Sequence, residues 1–354
     1  MVSLLAIERY LPRFRYHQDA VTGWVKAWLT EDGRHDSARL LSVYSGAGVT
    51  SRASVVPIEE VFSPGDFESQ NDRYREIAIT AGTEVSARAL RASGLAPAEI
   101  ALLVSVSCTG FMIPAVDAYV AEALGLGPRL VRVPITESGC AGGVVGLARA
   151  TDFLIAHPEK AALVLALEFA SLTFQRWDRS AANVVSAAIF GDGGAAVVLV
   201  GREHPRFGEG RVRILDTESL FFSGTSHLMG FRLRNQGLQI VLDRALTPFV
   251  RREVAGVVDG FLAPRGLARG DVRHWILHPG GRKIVEAMSE RLGLEASALA
   301  ATERVLSEHG NMSSVTVLFV LDEVLRGAPA PGERGLAGAF GPGFGAEFAL
   351  LEFC

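Results

Sequence analysis

Apolar positions along the chain switch between two periods. From 73 to 93, in RYREIAITAGTEVSARALRAS, they recur at the helical spacing, and Gly94 and Pro97 stop the run. The next stretch, EIALLVSVSC at 99–108, is short, continuously apolar and rich in β-branched residues, which predicts a buried strand. The same alternation continues. AVDAYVAEALGLG (115–127) reads as a helix ending in glycines and RLVRVPI (129–135) as a strand. GGVVGLARATDFLIAHP (142–158) reads as a helix closed by Pro158, AALVLALE (161–168) as a strand, and GDGGAAVVLVG (191–201) as a glycine turn entering a strand.

The later part of the chain repeats this order loosely. VRHWILHPGG (272–281) is a strand running into a glycine turn, and RKIVEAMSERLGL (282–294) is a helix. GNMSSVTVLFVLDEVLRG (310–327) reads as a helix that opens with small residues. GAFGPGFGAEFALLEF (338–353) reads as a glycine turn entering a final strand. The pattern predicts a duplicated α/β unit with halves 1–205 and 206–354, joined near 201–212. Strands that are apolar throughout, set between helices, predict sheet faces covered on both sides.

Composition narrows the class. The chain has 354 residues, 49% hydrophobic and 21% charged, enough for a large core. Its net charge is -4 with scattered basic residues, so no nucleic-acid partner is expected. No apolar run is read as reaching the roughly 18 residues of a membrane helix. The stretch AALVLALEFASLTF is broken by Glu168, and the start, MVSLLAIERYLPRFR, lacks the order of a signal peptide. Three cysteines, an odd number set far apart, make no disulfide framework, and a reducing cytoplasm is the expected compartment. Residues 1–44 offer no recognisable chemistry.

Three residues stand where chemistry is placed. Cys140, in TESGCAGG, falls at a strand-to-helix turn, where amide N–H groups and the helix dipole favour a thiolate. Its flanking glycines would let a substrate carbonyl approach, with the Cys140 amide as oxyanion donor. A buried cysteine at a tight helix contact explains the same pattern equally well. His278, in WILHPGG, sits past the carboxyl end of a strand. A lone histidine there is also often a satisfied half-buried one, and His309 beside GNMSS competes with it. Asn311 heads a predicted helix, where asparagine is an ordinary cap. Together the three make better sense. A thiol needs a proton acceptor, and His278 and Asn311 can aim N–H donors at an oxygen that gains charge as a malonyl thioester loses CO2. Zinc spacing, a P-loop and a dinucleotide fingerprint are missing from the sequence, so no cofactor is expected.

GCAGG around Cys140, IFGDGGAA (189–196), HPGG (278–281), GNMSS (310–314) and AFGPG (339–343) occur in an order that resembles the type III polyketide synthases, the chalcone synthase-like branch of the thiolase superfamily. The resemblance runs from about residue 45 to the end. It implies a thiolase-like, duplicated αβαβα five-layered sandwich, a homodimer, and acyl-CoA and malonyl-CoA as substrates. It implies Cys140, His278 and Asn311 as the catalytic residues. Cys140 would be acylated by the starter, malonyl-CoA decarboxylated against His278 and Asn311, and the chain extended by repeated condensation before ring closure.

The match carries further roles. Phe190 would stand between the CoA tunnel and the cavity, and Cys108, Thr173, Ser186 and Ser313 would line that cavity, with Gly341, Pro342 and Gly343 as the adjoining loop. Ile113, before a cis Pro114, would reach into the partner's cavity. Arg52 would hold CoA phosphates, with Gly280 and Gly281 along the CoA path. Some positions depart from the plant pattern: Ile240 replaces a second gatekeeper phenylalanine, Phe231 a nearby glycine, and Ala339 the first glycine of the G-F-G-P-G loop. These departures favour a fatty-acyl starter and a pyrone or resorcinol product. The alternatives are a tetrahydroxynaphthalene synthase using malonyl-CoA only, a ketoacyl-carrier-protein synthase that condenses once, and an idle acyl-CoA-binding partner subunit.

Overall fold

The computed structural model describes residues 1–31, 37–63 and 65–354. Its strands are β1 (Val2–Tyr10), β2 (Phe14–His17), β3 (Ser51–Ser54), β4 (Ile100–Val106), β5 (Val131–Ile135), β6 (Ala161–Phe169), β7 (Asp192–Gly201), β8 (Val212–Phe221), β9 (Met229–Arg234), β10 (Gly237–Leu242), β11 (His274–Leu277), β12 (Arg334–Gly341) and β13 (Gly345–Phe353). Nine of them form one sheet in the order β11-β12-β13-β8-β1-β7-β6-β4-β5. From β1 outward the pairings run antiparallel to β7, antiparallel to β6, then parallel to β4. From β8 outward they run antiparallel to β13, antiparallel to β12, then parallel to β11. The same unit is therefore built twice, and β1 joins the two by pairing with β8.

Side-chain alternation separates the layers. On β6, Ala162, Val164 and Ala166 face one apolar cluster, while Leu163, Leu165 and Leu167 face another. On β13, Ala349 and Leu351 face the first cluster and Phe348 and Leu350 a third. The shared cluster holds two central helices, Gly142–Ala156 and Thr316–Arg326. The outer clusters hold Phe67–Ser93 on one side and Leu246–Leu262 with Arg282–Leu292 on the other. Helix, sheet, helix, sheet, helix is the five-layered order that the sequence reading expects.

Several expectations change. Residues Gly139–Ala156 form a stretch apolar and long enough to cross a membrane by length and composition, so an 18-residue run does exist. It is 67% buried inside the fold as a central helix. The glycine turn in 338–353 enters a final strand as expected, and it also closes a hairpin between β12 and β13. Pro342 and Gly343 (φ 80°) turn the chain so that Gly341 pairs with Gly345. The helix after GNMSS begins only at Thr316, behind a short 3-10 turn at Ser313–Val315. Residues 2–10, silent in the sequence, supply the strand on which the duplication is joined.

Candidate active site

Cys140 lies in a 3-10 turn, Gly139–Ala141, that runs straight into the central helix from Gly142. The surrounding glycines are needed for protein contact. A Cβ on Gly139 (φ 47°) would stand 2.6 Å from Pro342, and one on Gly143 would stand 2.3 Å from the Ser314 carbonyl oxygen. The cysteine turn is thus wedged against two loops of the second half. This corrects the reading that these glycines clear space for a substrate carbonyl.

Asn311 is positioned by backbone pairing rather than by a helix. Its N–H donates to the Ile189 carbonyl at 2.7 Å, and its own carbonyl accepts from Gly191 N–H at 3.0 Å. This isolated parallel bridge locks Asn311 beside Phe190, the residue that ends the helix Ala181–Ile189. The Asn311 Oδ1 accepts from the Ser313 amide at 2.8 Å, which leaves its Nδ2 donors for the site. Ser313 sits at φ 48°, a left-handed conformation costly for a serine. His278 follows β11, and its N–H donates to the Gly338 carbonyl at 2.9 Å. Its ring is buried, and both nitrogens lack a partner among the described residues.

Burial dominates the electrostatics. It pushes the Cys140 thiol up to about 12, with the Glu168 charge adding to it, while hydrogen bonds from Ser313 and Asn311 work against the rise. It pushes His278 down to about 3. The unliganded pair is therefore a neutral thiol facing a neutral imidazole near pH 7. A resting thiolate was expected from the helix dipole, but a dipole is worth about 0.3–2 kcal/mol, whereas full burial moves a pKa by about 3–5 units.

Glu168 is the residue the sequence reading passed over. It is completely buried, and its carboxyl accepts from Ser314 Oγ at 2.6 Å, Thr109 Oγ1 at 2.9 Å and the Cys108 amide at 3.1 Å. It ties β6 to the Cys108 loop and to the turn after Asn311. The available signal was a lone acid inside an apolar strand, which demands partners.

Three cavities meet here. The largest, about 420 Å³, is lined by Cys108, Cys140, Thr173, Phe190, Phe231, Ile240, Ser313, Pro342 and Gly343, and exposed Glu137, His227 and Arg232 stand at its rim. A narrow one, about 40 Å³, is lined by Cys140, Phe190, His278, Gly280, Ile284 and Asn311. A third, about 80 Å³, touches Phe190, Thr173, Ser186, Phe231 and Ile240 from behind. Phe190 borders all three. Ser186 therefore lies on the third cavity rather than the main one. Gly341 lines none of the three; it is packed against Ser138 and Ala141. Gly281 (φ 141°) caps the helix Arg282–Leu292 and also lines none. Ile113 is fully exposed and is joined to Pro114 by a cis peptide bond. His309 is edge-on to Phe319 and borders none of the three cavities.

Arg52 is corrected. It is buried, and its guanidinium donates to the Ala187 and Phe190 carbonyls, both at 2.7 Å, to the Ala188 carbonyl at 2.6 Å, and to Gln18 Oε1. It closes the carbonyl end of the helix Ala181–Ile189, where a cation suits the dipole. Burial lowers its pKa to about 10, so it stays charged near neutrality. Arg52→Met is expected to destabilise the fold by about 3 kcal/mol or more, because several carbonyls lose their donor. The KM for malonyl-CoA of the folded fraction should be unchanged. Urea unfolding and steady-state kinetics check this, and a raised KM at native stability would restore the CoA role.

The layered sheet, built twice around two central helices, is the fold of a thiolase-like enzyme. The chain belongs to the chalcone and stilbene synthase family: the model of the N-terminal domain matches residues 66–204 and that of the C-terminal domain residues 214–353. It is a type III polyketide synthase, an acyltransferase. It is 40% identical over 352 residues to a 1,3,6,8-tetrahydroxynaphthalene synthase of Streptomyces peucetius subsp. caesius, covering 99% of this chain and 93% of that one. It is 31% identical over 350 residues to the alpha-pyrone synthesis polyketide synthase-like Pks18 of Mycobacterium tuberculosis, covering 96% and 88%. The crystal structure of tetrahydroxynaphthalene synthase from Streptomyces coelicolor A3(2) superposes with a TM-score of 0.93 at 29% identity, covering 99% of both chains.

Proposed function

We propose that Cys140, His278 and Asn311 carry out iterative decarboxylative condensation of malonyl-CoA onto an acyl-CoA starter. The observation that carries the reading is their meeting in one narrow cavity although they come from distant parts of the chain. Cys140 Sγ attacks the starter thioester, His278 takes the thiol proton and returns it to the departing CoA sulfur. Malonyl-CoA then loses CO2, and the enolate oxygen is held by N–H donors of His278 and Asn311. The enolate carbon attacks the Cys140 thioester, the lengthened chain returns to Cys140, and cyclisation releases it. Side chains supply all of this, so no cofactor enters the reading.

The narrow cavity past Gly280 and Ile284 suits the thin pantetheine arm, and Phe190 stands at its junction with the larger cavity. Neutral resting groups fit this order. The thiol ionises as its proton passes to His278, when substrate is in place. Exposed Ile113 and Phe111 suit burial against a second copy, which makes the working unit a homodimer. The two sheet units correspond in this reading to halves 1–205 and 206–354. The three free cysteines agree with the cytoplasm.

The starter reading is fatty acyl, with a pyrone or resorcinol product, because Ile240 gives the cavity an aliphatic wall. A second reading, malonyl-CoA as sole substrate, is favoured by the 40% identical relative named as a tetrahydroxynaphthalene synthase. Mass spectrometry of products from acetyl-, decanoyl- and aromatic acyl-CoA, each with malonyl-CoA, separates them. Decanoyl-primed tri- or tetraketides are expected. Products from malonyl-CoA alone, indifferent to starter, would establish the second reading. A single condensation onto a carrier protein would overturn both.

A further inference from the structure

The reaction described uses one cysteine, but the main cavity holds a second. β4 and β5 run parallel with Val106 level with Ile135, and the Ser107 N–H extends the pairing by donating to the Ile135 carbonyl at 3.1 Å. Cys108 and Cys140 therefore both follow the carboxyl ends of adjacent strands, and both line the main cavity. One hydroxyl joins them. Ser313 Oγ shares a hydrogen bond with Cys108 Sγ at 3.4 Å and another with the Cys140 thiol. Each thiol also has a base at hand. Cys108 Sγ donates to Glu168 Oε2 at 3.5 Å, and Cys140 lines the narrow cavity together with His278. Cys354, the last residue of the chain, is exposed and lines neither cavity.

We propose that Cys108 and Cys140 form a reversible disulfide in the presence of hydrogen peroxide, which switches the enzyme off and shields the acyl-carrying sulfur. The loss of activity rests on the polyketide-synthase reading; the bond itself does not. In the first step Cys140 passes its proton to His278, and its sulfur attacks one peroxide oxygen. The S–O bond forms, the O–O bond breaks, and the departing hydroxide takes the proton from His278 and leaves as water. Cys140 is then a sulfenic acid. In the second step Cys108 gives its proton to Glu168 and attacks the Cys140 sulfur. The S–S bond forms, the S–O bond breaks, and the hydroxide leaves as water with the proton from Glu168. Two thiols are oxidised, and one peroxide is reduced to two waters. Burial keeps both thiols protonated at rest, so a proton acceptor at each sulfur is what the chemistry requires. A sulfenic acid with no thiol beside it goes on to the irreversible sulfinic acid, whereas a neighbouring thiol diverts it to a bond that a reductant can reopen. Transient redox-sensing bonds of this kind are the form disulfides usually take in a reducing compartment.

The native enzyme and Cys108→Ser are freed of reductant and treated with hydrogen peroxide. Each is then denatured in an alkylating reagent, digested without reduction and mapped by mass spectrometry. In the native enzyme the peptides carrying Cys108 and Cys140 are expected as a linked pair, lighter than their sum by the mass of two hydrogens. Product formation should fall in step with the linked fraction and return when dithiothreitol is added. In Cys108→Ser, Cys140 should instead gain the mass of two oxygens, and dithiothreitol should restore nothing. The proposal fails if the native enzyme carries sulfinic Cys140 without a link, if Cys140 joins Cys354 instead, or if reopening the bond returns no activity. The circular dichroism spectrum identifies a variant that does not fold, and the native peptide map then decides alone. A native enzyme that forms the bond but extends no starter before oxidation would overturn the functional reading and leave the oxidation site standing.

Discussion

Cys140→Ala is expected to abolish every extended product, by about 10³-fold or more, while malonyl-CoA continues to lose CO2. The two halves of the reaction use different groups. Chain attachment needs the sulfur, because the acyl group has nowhere else to go between extensions. Decarboxylation needs only donors for the enolate oxygen, and those are His278 and Asn311, which line the same cavity from other elements. The substitution is mild for the fold. Cys140 is buried in a turn whose shape is fixed by Gly139 against Pro342 and by Gly143 against Ser314, and none of these contacts uses the sulfur. Removing it also takes a thiol of high pKa out of an apolar pocket, so no charge is left unpaired. Product mass spectrometry and labelled CO2 release are measured on the same sample. Extended product surviving in the variant would refute Cys140 as the acyl carrier. An equal fall in CO2 release would show that the thiol belongs to the decarboxylating group as well.

The parts of the site that local pattern controls were legible in the sequence. A short apolar run, a glycine-flanked cysteine and a helical run specify a strand, a turn and a helix, so Cys140 was placed at its helix start. His278 was legible for the same reason, at the end of β11. Asn311 sits elsewhere than the head of a helix that the sequence suggests. Its setting is a backbone bridge to residues 189–191, more than a hundred positions earlier, and nothing in GNMSS signals such a partner. Arg52 shows the opposite failure. A lone arginine looks like a surface charge, and only the fold reveals that three carbonyls at the end of another helix surround it. The glycines near Cys140 were visible, but what fills the space beside them comes from the second half of the chain. Cavity shape was the least legible, because it depends on residues from many elements at once.

Asn311→Asp is expected to slow decarboxylation by about 10²–10³-fold and to leave starter loading intact. The substitution keeps the shape and the Oδ1 acceptor that receives the Ser313 amide. The backbone bridge to Ile189 and Gly191 does not involve the side chain, so Phe190 should stay in place. What changes is Nδ2. A pair of N–H donors becomes a carboxylate oxygen, directed at the place where negative charge develops as CO2 leaves. Attack of Cys140 on a starter thioester takes place before any enolate exists, and its proton acceptor is His278, so the acyl-enzyme should still form. Intact-protein mass spectrometry with acyl-CoA alone reads that first step, and CO2 release from malonyl-CoA reads the second. A loss confined to the second step assigns the donor to the enolate. An equal loss of both would mean that Asn311 acts on the thiol itself, through the hydrogen bond that already lowers the cysteine's pKa against the pull of burial, and the division of roles would have to be redrawn around the sulfur.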